Sequence, residues 1–185
     1  MSRITAFSEF EMKNASIKFA NEESYTKLGC LGSIEESLDV IVVRKKCEGK
    51  VVKSRTRGAG SGELKISAHV AYPIYVKAFA MDDSNLKEGV YAFGTDKIYP
   101  EFTLVAEVLD EDGKAKMIAY PKCTISTGLA NKIENGAEEV AELELTIAVA
   151  TDENNKVKYE ALVEDASETT TNWLTKFDPA DMFTV

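Results

Sequence analysis

At 185 residues, 44% of them hydrophobic and 29% charged, the chain has the length of one domain and enough apolar material for a core that needs neither disulfides nor metals. Its net charge of −9 argues against a general affinity for nucleic acid, whose phosphates are met by an excess of Lys and Arg. No apolar run approaches the ~20 residues that span a bilayer as a helix, and Met1–Glu9 lacks the apolar stretch of a secretory signal, so synthesis and retention in the cytoplasm are expected.

In chain order, residues 1–14 have no clean period and read as an N-terminal arm or edge segment. Ile17 and Phe19 alternate with Ser16 and Lys18, which predicts a short strand over Ala15–Ala20. Gly29 and Gly32 punctuate the next stretch of chain, and Asp39-Val40-Ile41-Val42-Val43 then reads as a buried strand because it is β-branched. A basic segment comes next, with Glu48-Gly49 as its turn and Gly58-Ala59-Gly60-Ser61-Gly62 as a flexible stretch beyond it; residues 44–62 together are expected to form a loop or arm. Leu64, Ile66, Ala68 and Val70 alternate with Lys65, Ser67 and His69 as a half-buried strand. Pro73 can open a helix, which is predicted over Ile74–Met81 with Asp82-Asp83-Ser84-Asn85 as its exit.

The C-terminal half predicts two hairpins. Phe102, Leu104, Ala106 and Val108 alternate up to Asp110-Glu111-Asp112-Gly113, and a return strand runs from Lys114 to Tyr120. Leu143, Leu145, Ile147 and Val149 alternate with Glu144, Thr146 and Ala148; Thr151–Asn155 turns the chain, and Val157, Tyr159, Ala161 and Val163 bring it back. Residues 166–185 form a C-terminal tail whose Trp173, Leu174, Phe177, Met182 and Phe183 are either docked on the domain or held by a partner. About seven strands and one helix, with no βαβ alternation, predict a mainly β single domain: a two-sheet β-sandwich with one flanking helix and an extended inter-strand arm.

No constellation carries catalysis, and no cofactor is implied. His69 is the sole histidine and alternates onto the polar face of its strand, so a surface or interface role is expected. Glu63 stands where a phosphate-binding loop would need Lys followed by Ser or Thr, and Gly58–Gly62 is accordingly a hinge. Cys30, Cys47 and Cys123 have no ligand spacing and read as small buried hydrophobes. The acidic pairs Asp82-Asp83, Glu35-Glu36 and Glu138-Glu139 have nothing converging on them.

The uneven charge is the informative feature. From Arg44 to Arg57 the seven bases Arg44, Lys45, Lys46, Lys50, Lys53, Arg55 and Arg57 face one acid, Glu48, so the rest of the chain is more acidic than its net charge suggests. Three readings stand: a solvated loop, a nucleic-acid contact, or an arm that docks on an acidic face of another copy. Opposite charges on one chain favour head-to-tail contacts, which build rings or filaments.

The order of features resembles the major tail protein, or tail tube protein, of long-tailed bacteriophages of Gram-positive hosts. The likeness is carried by Lys27-Leu28-Gly29-Cys30-Leu31-Gly32-Ser33-Ile34 and the charged arm, by the strand-to-helix passage Leu64–Met81, and by Gly89-Val90-Tyr91-Ala92-Phe93-Gly94. The hairpin Phe102–Pro121 with Tyr120-Pro121-Lys122, and the closing hairpin Leu143–Val163, continue it. The resemblance implies a virion protein, assembled in the host cytoplasm, whose copies form stacked hexameric rings enclosing a conduit for the genome. It implies tape measure, tail terminator and distal tail proteins as partners, duplex DNA only in transit through the lumen, and no membrane insertion. By position, 44–62 would reach the next ring. Electrostatics adds that a negative bore lets DNA slide, with Glu107, Glu142, Glu144 and Thr146 as lining candidates. The alternatives are a head–tail adaptor or other virion binding module, and a nucleic-acid-binding β domain that uses the basic arm.

Overall fold

The computed structural model describes residues 6–133, 135–136, 140–163 and 172–184. It runs β1 (Glu11–Phe19), β2 (Thr26–Lys27), β3 (Gly29–Cys47), β4 (Lys50–Val70), α1 (Tyr72–Ala78), β5 (Phe102–Leu109), β6 (Ala115–Ile125), β7 (Leu143–Ala150), β8 (Tyr159–Leu162) and α2 (Trp173–Lys176), with a 3-10 turn at Pro179–Met182 after it. The class is mainly β, as the alternation predicts. No helix among the described residues is long and apolar enough to cross a membrane.

Every strand pairing is antiparallel, and the strands join in one hydrogen-bonded sheet, ordered β2-β1-β5-β6-β7-β4-β3, rather than in two separate sheets. The sheet forks instead. β6 pairs with β8 over Lys116–Ala119 and with β7 over Lys122–Ile125. The change falls at Pro121, which has no N–H to give a ladder and sits where the β5–β6 register slips between Phe102 and Leu104. Thr103 Oγ1 donates to the Pro121 carbonyl across this irregularity, 2.9 Å away. At its ends the sheet curls together. The Leu28 N–H donates to the Ala15 carbonyl on β1, and the Leu28 carbonyl accepts from Ala71 N–H just past β4, both at 2.9 Å.

The roll encloses the main core. Ile17 and Phe19 of β1, Leu64 and Ile66 of β4, Leu104 of β5, and Leu145 and Ile147 of β7 point inward, and α1 adds Ile74, Ala78 and the adjoining Phe79. Pro73 lies in the first turn of α1, where its missing N–H costs nothing, but the helix starts two residues earlier and ends three residues earlier than expected. A second core lies on the other face of β5 and β6, where Val105, Met117 and Ala119 are covered by Trp173 and Phe177. Trp173 and Phe177 are therefore docked on their own domain, while Phe183 stays 45% exposed, and Tyr25 secures the segment by donating its hydroxyl proton to the Phe177 carbonyl at 2.9 Å. Residues 1–5 of the expected arm, 166–171 and 185 of the expected tail, and the pair Glu138-Glu139 lie outside the described residues.

Two turns share one construction. In Asp110-Glu111-Asp112-Gly113-Lys114, the Asp110 carboxylate accepts from the N–H groups of Asp112 and Lys114, at 3.0 and 2.7 Å, and Gly113 takes φ +78°. In Asp152-Glu153-Asn154-Asn155-Lys156, the Asp152 carboxylate accepts from Asn154 and Lys156 N–H, both at 2.9 Å, and Asn155 takes φ +59°. The first turn closes the β5–β6 hairpin, as expected. The second does not close a hairpin. β8 passes to β6 instead of pairing with β7, which corrects the expected closing hairpin Leu143–Val163.

Candidate functional site: a protruding two-stranded ribbon

The expected loop at 44–62 is a hairpin. β3 and β4 pair continuously from Gly29↔Val70 to Cys47↔Lys50, turning at Glu48-Gly49, both at positive φ. The expected flexible stretch Gly58–Gly62 belongs to β4; Gly60, at φ +84°, marks a register shift where β4 carries extra residues opposite Leu38–Val40. β7 flanks β4 only from Ser61 to Ala68. Beyond Ser61 the two strands leave the body as a ribbon with both edges unpaired among the described residues.

This geometry corrects the reading of Asp39–Val43 as buried. Val40 is 60% exposed, Val43 58% and Val52 58%, with Leu38, Ile41, Val42 and Val51 also open. The run is β-branched because an isolated ribbon still needs strand propensity, although nothing lies across it. Cys47 at the tip and Cys30 on β3 are exposed as well, so only Cys123 of the three cysteines is the buried hydrophobe expected. Burial pushes the Cys123 thiol up, out of the reactive range.

The cross-strand register sorts the seven cations. Ile41 faces Arg57, Val43 faces Arg55, Lys45 faces Lys53 and Cys47 faces Lys50, so five cations share one face with two aliphatics. Val40 faces Gly58, Val42 faces Thr56 and Arg44 faces Ser54, so the other face is aliphatic and hydroxyl-bearing at its base, with Arg44 and Lys46 toward the tip. The residue order carries this signal. Lys53-Ser54-Arg55-Thr56-Arg57 repeats its cations at period two, which on a strand puts them all on one side.

A charged network fixes the root of the ribbon. Glu36 lies opposite Leu64, on the inward face, just before the sheet narrows to two strands beyond Ser61. It accepts a hydrogen bond from the Tyr120 hydroxyl and pairs with Lys158 at 2.7 Å. Lys158 also pairs with Glu160 at 2.5 Å, and Lys116 bridges Glu160 and Glu9 at 3.7 and 2.5 Å. Burial works to lower the Lys158 pKa, but its hydrogen bonds to Glu160 and Glu36 outweigh this and hold it above the ordinary value. Burial likewise works to raise Glu160, and the Lys158 ammonium outweighs it and keeps the carboxyl below its usual range. Burial, then the hydrogen bond to Glu36, pushes the Tyr120 hydroxyl far up. No local pattern hints at this network, since its members lie before β1, on β3, on β6 and in and around β8, and Lys158 and Glu160 join it only because β8 crosses to β6.

The lining candidates separate. Glu144 is exposed and Thr146 half-buried on the outward face of β7, opposite Ser67 and Lys65, while Leu145 and Ile147 point into the core. Glu142 precedes β7 and accepts from the Ser67 hydroxyl; its carboxylate lies in the space that the absent side chain of Gly32 leaves open. Glu107 is not with them. It lies two strands away on β5, and Asn14 Nδ2 donates to its carboxylate at 2.7 Å. His69 is exposed, opposite Cys30.

No protein-family model matches the chain, and no curated protein matches it. Among solved structures, it is similar to a chain of the anti-feeding prophage baseplate, seen by cryo-EM with six-fold symmetrisation. That match has 14% identity and a TM-score of 0.45, over 89% of this chain and 99% of that one. It is also similar to a chain of the anti-feeding prophage cap, described as a tube-terminating cap, at 10% identity and a TM-score of 0.43, over 88% of this chain and 97% of that one.

Proposed function

We propose that this protein is a structural subunit of a bacteriophage tail tube, whose copies assemble into stacked hexameric rings around a conduit for the genome. The observation that carries the reading is the uncovered ribbon. Two-stranded ribbons are marginal in water, unpaired strand edges invite further pairing, and exposed aliphatic runs seek cover. Covering roughly 500 Å² of ribbon aliphatics is worth ~12 kcal/mol at ~25 cal/mol per Å². That sum is comparable with the ~4–15 kcal/mol that association costs in lost freedom, so one ribbon contact gives modest affinity, and a closed ring with stacking multiplies it. The resemblance in feature order points to the same arrangement, with the ribbon as the element that reaches a neighbour.

In that assembly the outward face bearing Glu144 and Thr146, with Glu142 at its edge, supplies the lining that repels phosphate. A second reading is favoured by the five cations on one ribbon face, which suit a duplex backbone: a nucleic-acid-binding β domain. Negative-stain microscopy and sedimentation of the purified protein separate the two. Rings or tubes support the first reading; a persistent monomer that retards duplex DNA in a gel supports the second and overturns the first.

A further inference from the structure

We propose that the cationic ribbon face docks, tip first, into an acidic groove at the root of the same face on a second copy of this chain. The inference rests on the self-assembly reading and specifies its contact. On β3 the odd-numbered positions keep one side through the register shift at Leu38–Val40, because both strands shift there by an even number of residues. One face therefore runs from Glu35, Ser37 and Asp39 at the root, through Ile41 and Val43, to Lys45 near the tip, winding with the ribbon's twist. At the root, Glu35, Asp39 and Glu63, with Ser37, Gly62 and Lys65, line a groove of about 440 Å³. From beside Ile41 out to the tip the same face carries, in order, Arg57, Arg55, Lys53 with Lys45, and Lys50.

The outer cations Lys45, Lys50 and Lys53 of one ribbon cannot meet its own root. Ser37 to Lys45 spans roughly 27 Å at about 3.4 Å per residue, beyond the ~8 Å Debye length of physiological salt. Each end is therefore left for a partner of opposite sign, and a second copy presents both. Concave root and narrow tip differ in shape as well as charge, which makes the contact heterologous: each copy gives one tip and receives another, and the series propagates. Arg44 and Lys46 lie on the opposite face and take no part, so the seven cations of the segment divide into five that dock and two that do not.

The test is a charge exchange. One variant carries Lys53→Glu, Arg55→Glu and Arg57→Glu; another carries Glu35→Lys, Asp39→Lys and Glu63→Lys; a third carries Arg44→Glu and Lys46→Glu. Sedimentation velocity and microscopy read the concentration for half-assembly. Each of the first two variants alone should need roughly tenfold more protein, because attraction becomes repulsion at three exposed positions. Their equimolar mixture should return to near wild type, since a reversed tip now fits a reversed root; that rescue also shows both variants are folded. The opposite-face variant should match wild type. If wild type assembles and the mixture does not recover, or the opposite-face variant is the one that fails, this inference falls while self-assembly stands. A species that stops at a dimer overturns the head-to-tail geometry. If wild type never assembles at any salt concentration, this inference and the self-assembly reading fall together.

Discussion

The two hairpins of this chain, β3–β4 and β5–β6, are built from the same kind of sequence and meet opposite fates. Both are rich in apolar and β-branched residues, and both close on a turn with a glycine at positive φ, Gly49 at +79° and Gly113 at +78°. β5–β6 is covered on both faces, by the main core on one side and by Trp173 and Phe177 on the other. The outer half of β3–β4 is covered on neither. Strand propensity settles that each is a strand; what lies across it settles whether it stabilises the domain or waits for a partner. The β5–β6 hairpin thus serves the monomer's fold, while the β3–β4 ribbon leaves both faces open and is the surface we propose for assembly.

That contrast can be broken from its larger effects downward. Trp173→Ala strips the outer cover from β5–β6 and should cost about 3–5 kcal/mol in urea unfolding, with no effect on the ribbon's own pairing. An unfolding midpoint within error of wild type would mean the C-terminal segment does not cover that face. Asp110→Ala removes the buried carboxylate that holds two N–H groups of the β5–β6 turn, at a cost of about 1–3 kcal/mol. Gly49→Ala strains the ribbon's turn at the same φ, but should leave global unfolding nearly unchanged and weaken assembly instead, because the tip is not coupled to the core. Equal losses of global stability from these two variants would erase the distinction.

The charged root network, which joins the two regions, responds to pH. Glu160 has a depressed pKa in the folded state, so the stability it contributes is present above the ordinary carboxylate value near 4.5 and is lost as pH falls through its folded value. Lys158 has a raised pKa, so its contribution is full below about 10.5 and is lost as pH rises above that. Unfolding midpoints should therefore fall at both extremes. Glu160→Gln should flatten the acid side; an unchanged acid limb would show that Glu160 does not couple folding to pH. The smallest expected effect on the monomer is that of Ile41→Thr with Val43→Thr, within about 0.5 kcal/mol because both are exposed, yet assembly should weaken clearly because both lie on the docking face. A stability loss of several kcal/mol would mean these residues are already buried.

Much of this was legible from residues. The alternation in Leu64–Val70 and Leu143–Val149 placed Leu64, Ile66, Leu145 and Ile147 inward and Glu144 outward, and Glu48-Gly49 and Asp112-Gly113 marked real turns. The misses share a cause: they depend on what packs across a segment, which local pattern does not encode. Val40–Val43 reads as buried because an exposed ribbon and a core strand use the same residues. The Asp152–Lys156 turn signals a reversal, but β8's partner is chosen by the bend of β6 at Pro121. Glu36, Tyr120 and Lys158 are far apart in sequence and meet only through that choice. The period of two in Lys53, Arg55 and Arg57 announces one cationic face, while placing Lys45 and Lys50 on it and Arg44 and Lys46 opposite takes the register.

Amide hydrogen exchange along the ribbon, measured as a function of protein concentration, addresses the central claim most directly. Protection over residues 40–58 should be low in dilute protein and rise steeply as large species form, while the β5–β6 amides stay protected throughout. Ribbon protection that is already high in the monomer, or that never changes as concentration rises, would contradict a ribbon completed by a neighbouring copy.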